Sequence, residues 1–583
     1  MGLGVKVLFW GFVVWLYCVQ QASAQNTVSD LHSNWSHSHP SSMSASVPIN
    51  APAFQNWDQK GFHQLVQTAI QSIQTSNSDL ARVERATRTL GAGEKVSGAN
   101  LYATKYNEYK PHSAAQDEFS TTLKFTQTYN GIEVIGKKNL FHFDRFGNLK
   151  NQKTEPQLSA INTVPTLSEE QALKIVVDRY QIPVEFSAKP ELKIFQDFNN
   201  KTRLVFILKT KTTEGLAGRQ SDTIQRNHLG KIIYLDAHTG EIILEMNRVR
   251  HTLPVNAPTE DSVTGAFTSG TRIENLALLK TTKATKNIVY RADTNLALKH
   301  VVLEGPDAGF PTDLNLEWYA KTIENESKNL DLVDRSSLNA YNHANRVYSY
   351  YFNNFGRQSY DNKDSAMVSI VHMGYKMDNA FWSDEHQVIA FGDGDGEYTN
   401  DFSYALDIAA HEWTHALIDS EAQLISAGEP GALNESYADF FSKMVDYRKG
   451  NWYCGRRIIS KELREKKGIL GIRNMLHPEE FDQPDTYDSP LRVPTTNNCN
   501  EENDSCGIHQ NMGIPNRVGA LITEAIGKQK AQKLYYNVLT QRLTETSNFK
   551  DARLATEEAC IELFSASSDE CAEVRKAFDI VKI

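Results

Sequence analysis

The chain has 583 residues, with 61 basic and 71 acidic side chains and a formal net charge of -10. At roughly 150 residues per domain this length means several units rather than one core, and 40% hydrophobic against 23% charged residues excludes disorder as the main state. The acidic surplus argues against nucleic acid as a partner, because phosphate binding needs a concentrated basic surface.

The first element in chain order is a targeting signal. Lys6 precedes the apolar run Val7-Leu8-Phe9-Trp10-Gly11-Phe12-Val13-Val14-Trp15-Leu16, and Ala22-Ser23-Ala24 has the small residues of a cleavage site. The run is shorter than the about 20 apolar residues of a bilayer span. Residues 1–24 therefore read as a signal peptide, and the mature chain as secreted and extracellular. No later stretch is apolar enough to span a membrane. Export permits disulfides. The short separations make Cys499/Cys506 and Cys560/Cys571 natural pairs and leave Cys454 over, although spacing alone does not fix the pairing.

Residues 25–55, rich in Ser, Asn, His and Pro, read as a flexible leader. A first unit over 25–110 takes in this leader; from about 60 the chain begins helically and then turns strand-like toward 160. A second unit, 111–250, opens with alternation at Thr121–Tyr129, a turn at Asn130-Gly131, and more strand from Ile132. The run Thr166-Leu167-Ser168-Glu169-Glu170-Gln171 predicts a capped helix. Strands are expected around Leu204–Leu208, Lys231–Asp236 and Ile242–Leu244. Residues 246–262 lack strong periodicity and read as a linker. Residues 251–410 mix short strands with Asn-, Asp- and Gly-rich loops around one helix near Leu338–Phe355. Residues 411–583 are dominated by helical periodicity. A β-rich half followed by an α-rich half predicts an α+β catalytic region of two lobes with a cleft between them.

His411-Glu412-Trp413-Thr414-His415 is an H-E-x-x-H pattern on a segment that reads as helix. Positions i and i+4 share a helix face, so both imidazoles reach one ion, while Glu412 is turned toward a water beside it. A third ligand is available in Gly431-Ala432-Leu433-Asn434-Glu435-Ser436-Tyr437-Ala438-Asp439. Glu435 offers a carboxylate there. Asp439, one turn on, is placed to accept the spare N–H of a ligating histidine and fix its tautomer.

These motifs resemble the thermolysin-like zinc metallopeptidases of the Glu-zincin type. Further segments carry the resemblance. Asp378-Asn379-Ala380-Phe381-Trp382 and Gly392-Asp393-Gly394-Asp395-Gly396 are similar to the family's substrate-binding edge strand and the turn before its zinc helix. Ile472-Arg473-Asn474-Met475 is similar to the segment with its substrate-carbonyl arginine. Asp504 and Gly507-Ile508-His509-Gln510-Asn511 are similar to its active-site histidine and that histidine's orienting aspartate. The resemblance covers about 260–583. Residues 50–100 and 165–245 look like the fungalysin/thermolysin-type and PepSY propeptide modules of such enzymes.

The resemblance implies a secreted zinc endopeptidase, made as a zymogen and clipped near 246–260. Zinc would be held by His411, His415 and Glu435, with Glu412 as general base. His509, oriented by Asp504, would stabilise the oxyanion. Asn379 and Ala380 would pair with substrate backbone, and Arg473 would hold a substrate carbonyl. Phe402, Ile408 and Ile472 would line a pocket favouring bulky hydrophobic residues after the scissile bond, unless they are simply core. Protein and peptide substrates, a propeptide acting as intramolecular inhibitor and chaperone, and a monomer are the expected partners and state. The family's calcium locus is reduced to Asp407 and Asp446, with Asn451, Tyr453 and Arg456 where further carboxylates would stand, so at most one Ca2+ is expected there. The family's oxyanion tyrosine is replaced by Ser426. A dead scaffold that only binds protein, and a zinc hydrolase of non-peptide substrates, are the alternatives. The first would require broken ligands, and none is broken.

Overall fold

The computed structural model describes residues 49–50, 64–69, 71–72, 107–116, 120–156, 158, 160–180, 184, 186–211, 230–251, 276–280, 286–291, 335–365, 367–371 and 377–583. The expected signal peptide, the leader and most of the first N-terminal module lie outside them. The chain forms two compact units, Met1–Ser159 and Ala160–Ile583.

In the first unit, β1 (Asn107–Gln116), β2 (Ser120–Tyr129), β3 (Ile132–Asp144) and β4 (Leu149–Lys153) make an antiparallel meander. Asn130 and Gly131 both take positive φ, 50° and 78°, which is why this dipeptide can close the β2–β3 hairpin. Phe125 and Phe141 meet edge to face in its core, with ring centroids 5.6 Å apart.

The second unit opens with α1 (Glu169–Tyr180). Its capping box is reciprocal: Gln171 N–H donates to Ser168 Oγ at 3.2 Å and Ser168 N–H to Gln171 Oε1 at 2.8 Å. A second antiparallel meander follows, β5 (Glu191–Gln196), β6 (Thr202–Lys209), β7 (Lys231–Asp236) and β8 (Ile242–Asn247).

A mixed sheet comes next in the order β9-β13-β14-β12-β11-β10. Its strands are β9 (Val249–His251), β10 (Leu276–Lys280), β11 (Lys286–Arg291), β12 (Met367–Val371), β13 (Ala380–Ser383) and β14 (Val388–Phe391). The expected linker therefore contains a strand. β9 is three residues long, too short to show alternation of its own, and is defined by backbone pairing to β13. Helix α2 (Arg335–Phe355) packs by its apolar face and matches the one helix expected in this region.

From residue 406 the unit is helical: α3 (Leu406–Ser420), α4 (Gly428–Val445), α5 (Asp504–Asn511), α6 (Gly513–Ile526), α7 (Lys528–Asn537), α8 (Phe549–Phe564) and α9 (Asp569–Ile580). A short ladder of β15 (Tyr453–Cys454) and β16 (Arg473–Asn474) lies among them. One hydrophobic core joins α2, the sheet face bearing Trp382 and Ile389, and these helices. α3 spans residues 410 and 411, so the β-rich and α-rich halves share it. The disulfides Cys499–Cys506 and Cys560–Cys571 both form, and Cys454 is a buried free thiol.

Candidate active site

Helix α3 is buried on every side over most of its length, as expected of a helix in the middle of a core. Trp413 anchors it against Tyr360 and Trp382, with ring centroids 5.7 and 5.9 Å away. With its rotation so fixed, His411 and His415 point the same way, and their Nε2 atoms lie 3.0 Å apart. α4 crosses α3 and brings Glu435 Oε2 to 3.3 Å from His411 Nε2 and 3.6 Å from His415 Nε2. That crossing depends on a glycine. A Cβ at Gly431 would lie 2.5 Å from Ile508 Cγ2, so a larger residue would push α4 off the segment that carries His509.

The hydrogen bonds behind the ring decide which nitrogens face inward. His411 Nδ1 lies 2.9 Å from Asp439 Oδ1, an obligate acceptor, so Nδ1 carries the proton and Nε2 presents its lone pair. Asn434 does the same for His415. Its Nδ2 donates to Leu424 O at 3.0 Å, so Oδ1 is the acceptor 2.8 Å from His415 Nδ1. Asp439 is held in turn by Arg473 Nε and Nη2 at 2.8 and 2.7 Å and by Asn516 Nδ2 at 2.8 Å.

This donor set fits zinc. Two imidazole lone pairs 3.0 Å apart repel unless a cation lies between them. Glu435 Oε2 is buried with no hydrogen-bond donor aligned on it. The separations of 3.0, 3.3 and 3.6 Å bracket the ~3.3 Å edge of a tetrahedron with ~2.0–2.1 Å bonds. The electrostatics agree. Burial pulls the His411 imidazolium down, but the hydrogen bond its ring donates to Asp439, the Glu435 carboxylate close by, and the charges of Asp439 and Glu412 outweigh it and raise the group to about 9. Burial alone would raise Glu435 and Asp439, yet their cationic neighbours hold both below the usual carboxylate range. The pocket carries a surplus of negative charge that a dication satisfies. Among the described residues, His411, His415 and Glu435 are the only group of three able to hold a metal ion.

Glu412 is fully buried beside this group. His509 Nε2 reaches 3.8 Å from Glu435 Oε2. Asp504 accepts from His509 twice, from Nδ1 at 2.6 Å and from the backbone N–H at 2.8 Å. That grip comes from an unusual turn: Asp504, Ser505, Cys506 and Gly507 all have positive φ, between 48° and 72°, where L-residues cost about 1–2 kcal/mol each. The Cys499–Cys506 disulfide and Asn503, whose Oδ1 accepts from Cys506 N–H at 2.8 Å, tie the turn down.

The remaining sequence candidates lie at several depths. Ala380 is buried as the first residue of β13, opposite Phe391, and Asn379 precedes it, its carbonyl accepting from Gly392 N–H at 2.9 Å. The glycine-rich turn behind them is needed as such, since a Cβ on Gly394 would stand 2.7 Å from Asn400 O. Arg473 is buried on Asp439, which ties it to His411. Phe402 and Ile408 are wholly inside the core, and Ile472 packs at its margin. Asp407 accepts from the N–H groups of Ile408 and Gly455 at 3.1 and 2.9 Å. Asp446 ends α4, 3.8 Å from Arg448. Lys443, buried nearby, donates to Tyr453 O at 2.7 Å. Ser426 is buried just before α4. Two residues with structural roles at the centre, Asn434 and Asn516, carried no assignment from sequence. Asn434 sits beside Glu435 in the motif, and that adjacency was the available signal.

Family models match most of the catalytic region. Residues 269–419 match the thermolysin metallopeptidase catalytic domain, and residues 422–583 its alpha-helical domain. The chain belongs to the thermolysin metallopeptidase family. It is 36% identical over 247 residues to neutral protease NprE of Bacillus pumilus, covering 42% of this chain and 77% of that protein. It is 28% identical over 480 residues to bacillolysin of Bacillus subtilis strain 168, covering 79% and 82%. Among solved structures, the precursor of protealysin from Serratia proteamaculans matches at 26% identity over 55% of this chain and 90% of that one, with a TM-score of 0.40. This thermolysin-family chain is a zinc metalloendopeptidase with a β-rich lobe and a helical C-terminal lobe.

Proposed function

We propose that the enzyme is a secreted endopeptidase made as a precursor, and that it hydrolyses peptide bonds with Glu412 as general base and His509 as oxyanion donor. The observation that carries this reading is the convergence of His411, His415 and Glu435, with Glu412 on the same helix and His509 within 3.8 Å of Glu435. Bound by His411, His415 and Glu435, zinc supplies Lewis acidity that polarises the scissile carbonyl and acidifies water.

The chain's own groups do the rest. Glu412 takes a proton from the attacking water at its carboxylate and returns it to the departing amine. Neutral His509 carries its single proton on Nδ1, donated to Asp504, so its Nε2 cannot donate. Protonated, it donates from Nε2 to the oxygen that gains charge, and the Asp504 carboxylate stabilises that cation. Asp439 and Asn434 hold the two ligating rings in the tautomer that faces the metal. Asn379 and Ala380 would pair with the substrate main chain, and Arg473, gripped by Asp439, would border the substrate carbonyl. With Ser426 in place of a tyrosine, oxyanion stabilisation rests more heavily on His509. Ile472, at the margin of the core, would favour bulky hydrophobic residues after the scissile bond, with Phe402 and Ile408 packed as core.

The N-terminal half, 25–250, would act as inhibitor and folding aid until clipped near 246–260. Glu412→Gln is the direct test. Zinc content should be unchanged while casein hydrolysis falls at least ~10²–10³-fold. Parallel assays on ester and small amide substrates separate a peptidase from another zinc hydrolase.

A further inference from the structure

Asp407 on α3 and Asp446 at the end of α4 are the two carboxylates expected at a calcium locus, and neither is arranged to hold that ion. Both oxygens of Asp407 are taken by backbone donors, Oδ1 by Ile408 N–H at 3.1 Å and Oδ2 by Gly455 N–H at 2.9 Å. Asp446 lies 3.8 Å from the Arg448 guanidinium. Calcium takes about 6–8 oxygen ligands. Among the described residues, no three acidic, histidine or cysteine side chains converge outside the zinc centre. The carbonyl between these residues, Tyr453 O, accepts from Lys443 Nζ at 2.7 Å. Lys443 stands in the last turn of α4 and is only 3% exposed.

Three elements meet here. Asp407 of α3 holds Gly455, Lys443 of α4 holds Tyr453, and β15 pairs with β16, where Arg473 grips Asp439. The charges already balance. Burial and the carboxylates of Asp439 and Asp407 push the Cys454 thiol up, while Lys443 and Arg473 pull it down. Two anions and two cations thus act on one buried thiol, and a dication added among them would leave a positive surplus, with Arg456 next in the chain.

We propose that the Lys443 ammonium takes the place of a structural calcium ion, fastening α4 to β15 with a charge that belongs to the chain. A charge-assisted hydrogen bond from a buried ammonium to a carbonyl does the holding. Such a cation is neither diluted away nor chelated, so in calcium-poor surroundings this corner of the catalytic region stays closed. The clamp does not depend on which group is the general base.

Calorimetry of the full-length, zinc-loaded Glu412→Gln chain tests this without turnover, with and without added calcium. Asp446→Asn in that background should leave the response of the melting midpoint to calcium as it was, because any response then arises elsewhere. Lys443→Met keeps the apolar stem and removes the charge, and should lower the midpoint by several degrees in calcium-free buffer. Lys443→Arg should retain most of the parent's stability. A calcium response that shrinks in Asp446→Asn would overturn the proposal, as would a Lys443→Met chain as stable as its parent. Should Lys443→Met fail to fold, the Asp446→Asn comparison still decides.

Discussion

Asn434 and Asp439 each do one thing for the metal centre, holding Nδ1 of a ligating histidine so that Nε2 faces inward. Asn434→Ala removes a buried acceptor and leaves the His415 ring free to turn or change tautomer. Zinc affinity should fall ~10–100-fold, as measured by competition with a chromogenic chelator, with the fold retained by circular dichroism. Asp504→Asn strikes the other side of the reaction. It removes the charge that stabilises cationic His509, so kcat should drop by ~10²–10³-fold while KM moves little; an unchanged kcat would remove His509 from the chemistry. That His411 and His415 point the same way was legible in the sequence, because i,i+4 spacing on a helix dictates a shared face. The role of Asn434 was not, because a side chain that touches a ring 19 residues away leaves no periodic trace.

Two buried ionisable groups act between elements in ways that spacing does not announce. Arg357, just past α2, is 1% exposed and donates to Glu421 Oε1 at 2.7 Å, Tyr360 O at 2.6 Å and Ser420 Oγ at 2.9 Å. It clamps the end of α2 to the end of the zinc helix. Arg357→Leu strands Glu421 and should cost roughly 3–5 kcal/mol, read by chemical denaturation. His343 on α2 is a pH element. Burial and the charges of Arg346 and Arg457 lower it to about 4, against a hydrogen bond the ring donates to the Ser403 backbone and the charge of Asp407. Between about 6.5 and 4 the unfolded chain binds this proton and the folded one does not, so stability is lost as pH falls through that window. The loss is about 3 kcal/mol. His343→Gln should flatten the slope of denaturation midpoint against pH there. Long periodic elements such as α2 were legible. β9 was not, since three residues held by backbone pairing carry no pattern.

At the scale of the whole molecule, the succession of strand-rich and helix-rich segments already indicated two lobes. What it did not show was how deeply the site is built into their shared core. Helix α3 is buried over most of its length, Asn434 and Asp439 of α4 hold the rings of His415 and His411, and His509 follows a strained turn pinned by a disulfide. Such a site is rigid in design, so the metal, rather than a moving loop, is the component whose removal should switch the enzyme off. Zinc analysis by mass spectrometry beside casein hydrolysis, on wild type and Glu435→Gln, tests this most directly. A single zinc ion per wild-type chain is expected. Chelation should remove the ion and the activity together, and added zinc should restore both, while Glu435→Gln retains little of either. A stripped chain that cleaves casein as fast as the loaded one, or zinc held equally well without the Glu435 carboxylate, would contradict the account.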